Sequence, residues 1–278
     1  MQDSLQVGIR DWWEDNPMAY DWEGTNSYAP GSPEFYVEID NRFWKAAWFA
    51  HQPGEEPFSR LIDYSSLKGK RVLEIGCGAG ALSSQLAKHG ARLNAVDLTE
   101  NAVKLTRRRF ELRGLDGDIR RMDAERLEFP EETFDFVWSW GVIHHSANTE
   151  AIIEQIHRVL KPGGQVSVMV YYRKSIVYLL GHVFIRGVLM GKLLKQSAQE
   201  IANQYTDGLI AKYYTREDFA GKFNHFATVE TEVMGQKVEV WQLPAGQVKD
   251  MLIKLTPDGI ARWLTDRYGM YLFLTATK

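Results

Sequence analysis

The stretch from Arg71 to Gly80, RVLEIGCGAG, constrains this chain more than any other. Val72–Ile75 is a short apolar run of the kind that forms a strand buried on both faces, and it breaks off in glycines at 76, 78 and 80. The Ala/Leu/Ser/Gln mixture from Ala81 to Lys88 predicts a helix, so the glycine turn sits at a helix N-terminus with its amides facing outward. Glycine in that place lets a ligand reach the main chain without meeting a Cβ. Three readings fit the letters alone. They are a tight connection with no ligand, the dinucleotide fingerprint Gly76-x-Gly78-x-x-Ala81, or a glycine loop serving another cofactor.

The downstream pattern is an alternation of strands and helices, the signature of a parallel sheet with helices on both faces. A second strand over Ala91–Val96 ends at Asp97. Thr99 then caps a helix from Glu100 to Arg113 that Gly114 closes. The basic residues Lys104, Arg107, Arg108 and Arg109 read as that helix's solvated face. A third strand, 118–122, leads to Asp123-Ala124. A fourth, 134–139, runs into Trp140-Gly141-Val142-Ile143-His144-His145 and a helix over 149–160. Lys161-Pro162-Gly163-Gly164 turns the chain into a fifth strand, 165–171. Strands over 225–234 and 270–277 close the sheet, with Thr215 capping a short helix before them.

Two segments lie outside this alternation. Residues 1–63 are rich in large aromatics, with an amphipathic helix expected over 34–50, and are too short to build a core alone. They read as an N-terminal cap on a domain spanning 64–278. Within that domain, 172–214 breaks the pattern. Its Ser175–Leu194 stretch is apolar, but His182, Arg186 and Lys192 recur along it, unlike a bilayer span. An inserted helical lid whose apolar side covers the cleft is the expectation, with contact to a membrane surface as the alternative.

Composition narrows the partners. At 278 residues with a net charge of −3, the chain offers no general attraction to nucleic acid. Its single cysteine rules out an intrachain disulfide and a multi-thiolate metal site; no metal is expected. The opening MQDSLQVGIRDWW lacks a signal-peptide layout, so a cytoplasmic protein without stable membrane insertion is expected. Whether it forms a homo-oligomer stays open.

Once Asp97, Asp123-Ala124 and the KPGG turn stand beside the glycine loop, the chain resembles the class I S-adenosylmethionine-dependent methyltransferases, strongly over residues 65–171. That resemblance implies an α/β fold: a Rossmann-like, doubly wound, seven-stranded sheet, mostly parallel, with an antiparallel last strand inserted between the fifth and sixth. It implies S-adenosyl-L-methionine as cofactor and S-adenosyl-L-homocysteine as product. Carried over by position, Glu74, Gly76, Gly78 and Gly80 hold the methionine end, Asp97 the ribose hydroxyls, Asp123 the adenine amino group, and Ala124 the ring. Cys77, Leu98 and Trp140 fall in the same site, Cys77 as a small packing residue rather than a nucleophile.

A carboxylate at a parallel strand's C-terminal edge suits a ribose diol in any case, NAD included. For catalysis the candidates are His145 and His144, just past the fourth strand. Some small-molecule methyltransferases of the class pair a histidine there with an N-terminal tyrosine, for which Tyr20 is the counterpart. The chain lacks the Asn/Asp-Pro-Pro-aromatic signature of relatives that methylate base amines or glutamine, as 139–142 reads Ser-Trp-Gly-Val. The implied activity is methyl transfer to O, N or C of a small or medium-sized organic acceptor, as in specialised metabolite biosynthesis. A nicotinamide oxidoreductase and a non-catalytic cofactor-binding protein are the rival readings.

Overall fold

The computed structural model describes residues 2–18, 27–52 and 54–278. Two helices come first, α1 (Gln2–Asp15) and α2 (Pro33–Ala46). Ser32 starts α2 by accepting the amide of Phe35, and Pro33 takes the first helical position, where no intrahelical partner for its nitrogen exists. The helix is shorter than its apolar spacing suggested. A 3₁₀ turn, Trp48–Ala50, finishes the stretch and buries Phe49 and Ala50.

The alternating unit then follows as β1 (Arg71–Ile75), α3 (Ala81–Lys88), β2 (Arg92–Asp97), α4 (Glu100–Arg113), β3 (Asp118–Arg121), β4 (Phe134–Trp140), α5 (Thr149–Val159) and β5 (Leu160–Tyr172). The side chain of Thr99 accepts the amide of Ala102 at the start of α4, and Gly114 ends it in the left-handed conformation. Residues 161–164 bulge out of the ladder, since Phe134 pairs with Leu160 and Phe136 with Gln165.

Beyond β5 the chain forms a π-type helix (Val177–Leu189), α6 (Ala198–Asn203), β6 (Tyr213–Tyr214), α7 (Arg216–Gly221), β7 (Thr228–Met234), α8 (Gln247–Leu255), α9 (Asp258–Tyr268) and β8 (Tyr271–Thr277). The strand order is β3-β2-β1-β4-β5-β8-β7, with β8 antiparallel to both neighbours and lying between β5 and β7. The sheet has eight strands where seven were expected. The addition is β6, which pairs in parallel with Tyr171 and Tyr172, the end of β5 that runs past β4's last partner, Met169.

The basic row on α4 is not one solvated face. Arg109 is fully buried, and its guanidinium bridges both carboxylate oxygens of Asp40 on α2 at 2.7 and 2.9 Å, with the Tyr36 ring 4.5 Å away. Arg113 reaches the same carboxylate at 2.8 Å, and Arg107 turns to the carbonyl of Ile119. Helix α2 therefore docks on α4 through a buried ion pair, which a helical wheel for α4 alone could not reveal. Phe43, Phe49 and Phe58 from the N-terminal segment share one core with Val72, Leu86, Trp138 and Phe273.

Candidate active site

Between β1 and β4 the strand order reverses, β2 and β3 lying to one side of β1 and β4 to the other. Open sheets of this kind bind ligands outside the carboxyl ends of their strands at such a point. Here a cavity of about 240 Å³ opens there.

One half of it is built by residues expected from sequence. Glu74, Gly76, Cys77, Gly78, Asp97, Leu98, Asp123, Ala124 and Trp140 all line it. Gly76 is held at φ +81, and a Cβ there would lie 2.2 Å from Cγ2 of Val142, so the loops after β1 and β4 close on each other only over glycine. Gly78, at φ +54, differs: a Cβ on it would meet nothing within 4 Å, leaving its face of the cavity open to a ligand. Gly80 does not line the cavity. It caps α3 at φ +78 against Thr106.

The loop amides do not all face outward as the glycine pattern suggested. Those of Gly76 and Cys77 donate to the Val96 carbonyl (2.8 and 3.2 Å), that of Gly78 to Asp97 Oδ2 (3.0 Å), and that of Gly80 to the Cys77 carbonyl (2.8 Å). Left-handed glycines at three alternate positions fold the loop back, so that the donors of Gly76, Cys77 and Gly78 are used on β2 and that of Gly80 within the loop.

The acids are held by neighbours. Asp97 Oδ1 accepts from the amide and hydroxyl of Thr99 at 3.0 and 2.8 Å. Burial raises its pKa, against the hydrogen bonds from Thr99 and Gly78 that lower it. Glu74, at the end of β1, hydrogen-bonds the Ser83 hydroxyl; burial drives its carboxyl up to about 8, with the nearby Asp97 adding to the rise. Asp123 Oδ1 accepts from the amide of Glu125 (2.9 Å) and from Gln6 Nε2 (3.1 Å). Burial pushes the Cys77 thiol well up, so it packs rather than reacts.

The other half of the cavity gathers His145, Tyr171, Asp207, Gln236 and Tyr271, with Trp13 from α1 and Phe43 and Phe49 from the cap. His145 Nδ1 lies 2.6 Å from the Ile210 carbonyl, which only accepts, so Nδ1 carries the proton and Nε2 is the basic nitrogen. Burial lowers its pKa, and Asp207 and the Ile210 carbonyl oppose that. The hydroxyl of Tyr171 donates to Asp207 Oδ1 at 2.9 Å. Asp207 is the one cavity-lining residue from 172–214 among the described residues; the π-type helix lines none of it. His144 is fully buried outside the cavity, its ring 4.1 Å from both His145 and Tyr171. Tyr20 lies outside the described residues.

Gln6, Trp13, Tyr171, Asp207 and Tyr271 escaped the sequence reading, since nothing in their local spacing marks them. Among the described residues no group of His, Cys, Asp and Glu has the arrangement of a metal site.

This fold and cavity define a Rossmann-like domain with a ligand cavity at the carboxyl edge of its sheet. Residues 73–168 match the family model of a methyltransferase domain. The ubiquinone biosynthesis O-methyltransferase of Pseudomonas entomophila (strain L48) is 36% identical over 117 residues, 41% of this chain and 50% of that protein. Its counterpart in Xylella fastidiosa (strain M23) is 29% identical over 209 residues, 72% and 80%. The chain spans about half the length of the curated relatives it matches first.

Among solved structures, a Haemonchus contortus phosphoethanolamine N-methyltransferase shares the fold at TM-score 0.57 and 21% identity, covering 97% of this chain and 60% of that one. The methyltransferase solved with the Trm112 activator of Haloferax volcanii does so at 0.56 and 16%, covering 94% and 97%. Residues 73–168 thus match a methyltransferase domain, and the fold is shared with solved methyltransferases. The family's cofactor is S-adenosyl-L-methionine, and the open face of Gly78 between Glu74 and Asp97 fits such a group.

Proposed function

We propose that this protein methylates a hydroxyl or amine of a small organic acceptor that bears no anionic group, in the cytoplasm and within a biosynthetic route. One observation carries the reading: a single cavity joins the adenosyl cradle to His145, Tyr171 and Asp207. Glu74, Gly78, Asp97 and Asp123 would hold the cofactor, which when bound supplies an electrophilic methyl carbon on sulfur. His145 Nε2 takes the acceptor's proton as the new bond to carbon forms, its tautomer fixed by Ile210. Phe43, Phe49, Trp140 and Tyr271 flank the acceptor with apolar surface and keep water out, so much of the acceleration comes from alignment.

The lining supports the acceptor's charge class. Its titratable side chains include Glu74, Asp97, Asp123 and Asp207, but no lysine or arginine, and the sequence of 19–26 contains neither. A phosphate or carboxylate on the acceptor would meet acidic side chains, a neutral histidine and neutral donors such as Gln236 and Tyr271 but no cation, an arrangement that costs several kcal/mol of unpaired charge. The acceptor is therefore neutral or cationic.

The test is an incubation with cofactor and matched pairs of phenols and amines, each with and without a phosphate or carboxylate. S-adenosyl-L-homocysteine, read by mass spectrometry, should form with the uncharged members. Its absence with every acceptor, despite cofactor binding, would leave a non-catalytic binding protein. Faster turnover of the anionic members would overturn the charge argument.

A further inference from the structure

The outward side of the π-type helix plays no part in the cavity. Burial splits its residues into two sets, with Gly181 among the inward ones. Tyr178, His182 and Gly187 face inward, while Leu179, Leu180, Phe184, Val188 and Leu189 are all exposed. Met190, Leu193 and Leu194 extend the exposed apolar surface, Leu194 at 88% of its full area. The solvent side of this segment is thus its apolar side, the reverse of an ordinary surface helix.

Charge on the segment is equally one-sided. From residue 173 to 199 the sequence carries Arg173, Lys174, Arg186, Lys192 and Lys195 and no acid, in a chain whose net charge is −3. Arg173 and Lys174 are paired with Asp218 and Glu217. Arg186 and Lys192 lie over the Tyr205 ring at 4.1 and 4.7 Å, a contact that positions them without neutralising them. Among the described residues, none of Arg186, Lys192 and Lys195 forms an ion pair with a carboxylate.

We propose that this face docks on an anionic lipid bilayer, the apolar side chains entering the interface and the three cations meeting headgroups. No described helix is long and apolar enough to cross a membrane, so the attachment is peripheral. A second copy of the chain is the poorer occupant, because a twofold contact through this face would set its own cations against each other. The same insertion carries the Asp207–Ile210 turn that contacts His145, so the docking face and the support of the basic nitrogen belong to one segment.

The experiment is cosedimentation of the full chain with phosphatidylcholine vesicles, with and without phosphatidylglycerol. The protein should pellet with the anionic vesicles only, and 1 M salt, where screening reaches ~3 Å, should release it. Lys192→Gln and Lys195→Gln should each weaken binding about fivefold, the worth of one basic residue near such a surface. Phe184→Glu with Leu189→Glu should abolish it while leaving thermal stabilisation by S-adenosyl-L-homocysteine unchanged, which shows that the fold survives. The proposal is overturned by no pelleting, by equal pelleting with neutral vesicles, or by pelleting that ignores these substitutions. It is also overturned by a concentration-dependent dimer in sedimentation velocity that the Glu pair dissolves.

Discussion

Replacing Glu74 with glutamine should flatten the pH dependence of stability. Glu74 is buried at the end of β1, and its carboxyl titrates at about 8 in the folded chain against an ordinary 4.5. Between those values the native state keeps a proton that the unfolded state has lost. Stability therefore falls as pH rises through this window, at about 1.4 kcal/mol per pH unit. From pH 5 to 7.5 the loss assigned to Glu74 is on the order of 3 kcal/mol.

Urea unfolding at half-unit pH steps, on wild type and Glu74→Gln, measures it. Glu239, also buried and also titrating at about 8, contributes to both proteins and cancels in the difference. The lost hydrogen-bond geometry at Ser83 shifts the two curves apart without changing their slopes. Wild type should lose about 3 kcal/mol more than the variant across the range. Parallel curves would refute a protonated Glu74. The same carboxyl should release a proton when a cationic ligand binds beside it at pH 7. Calorimetry in buffers of different ionisation enthalpy reads that release in wild type and should find it absent in the variant.

Other perturbations follow from the geometry. Asp40→Ala leaves the fully buried Arg109 without its carboxylate and should cost about 3–5 kcal/mol in urea unfolding. Gly208 sits at φ +84 with space for a Cβ only 2.7 Å from His145 Nδ1. Gly208→Ala should therefore cost about 1–3 kcal/mol and cut turnover, while S-adenosyl-L-homocysteine binds as in wild type by calorimetry. Because the pKa of His145 is lowered, turnover should rise with pH through an inflection below 6.5 and stay level above it. His145→Ala should remove the inflection and lower kcat by about 10²–10⁴, with cofactor affinity held.

The cofactor half of the cavity was legible because it is local. Asp97 ends β2, and Gly76 and Asp123 fall within two residues of the ends of β1 and β3; in a parallel sheet the position just past a strand is fixed by the strand itself. The acceptor half was not. His145 owes its tautomer to Ile210, 65 residues away, and Asp207 stands in a stretch with no periodic pattern. Helices α8 and α9 went unseen for a related reason: α8 has no buried residue, so Val248, Met251 and Leu255 mark no core face. The outward amides were misread since residue letters report the freedom of Gly76, Gly78 and Gly80, not the direction of their N–H groups, two of which β2 captures and one the Cys77 carbonyl.

Helix α1 joins the two halves, and that joint bears on how a ligand enters. Gln6 links Asp123 Oδ1 to the amide of Ala147, and Glu14 accepts the amides of Glu100 and Asn101 at the start of α4, at 2.8 and 3.0 Å. Ile9 and Trp13 between these anchors line the cavity. A carboxylate at a helix N-terminus and an amide on a carboxylate are both favourable placements, so α1 is held shut from its two ends. At about 0.5–1.5 kcal/mol net for each of these bonds, lifting the helix costs on the order of 2–6 kcal/mol, which leaves the open form a minor state. A ligand that donates to Asp123 reaches its Oδ2 or displaces Gln6 from Oδ1. Trp13, on the same helix as Gln6, has its ring 5.2 Å from that of His145, so one helix touches both the acid of the cofactor half and the base of the acceptor half.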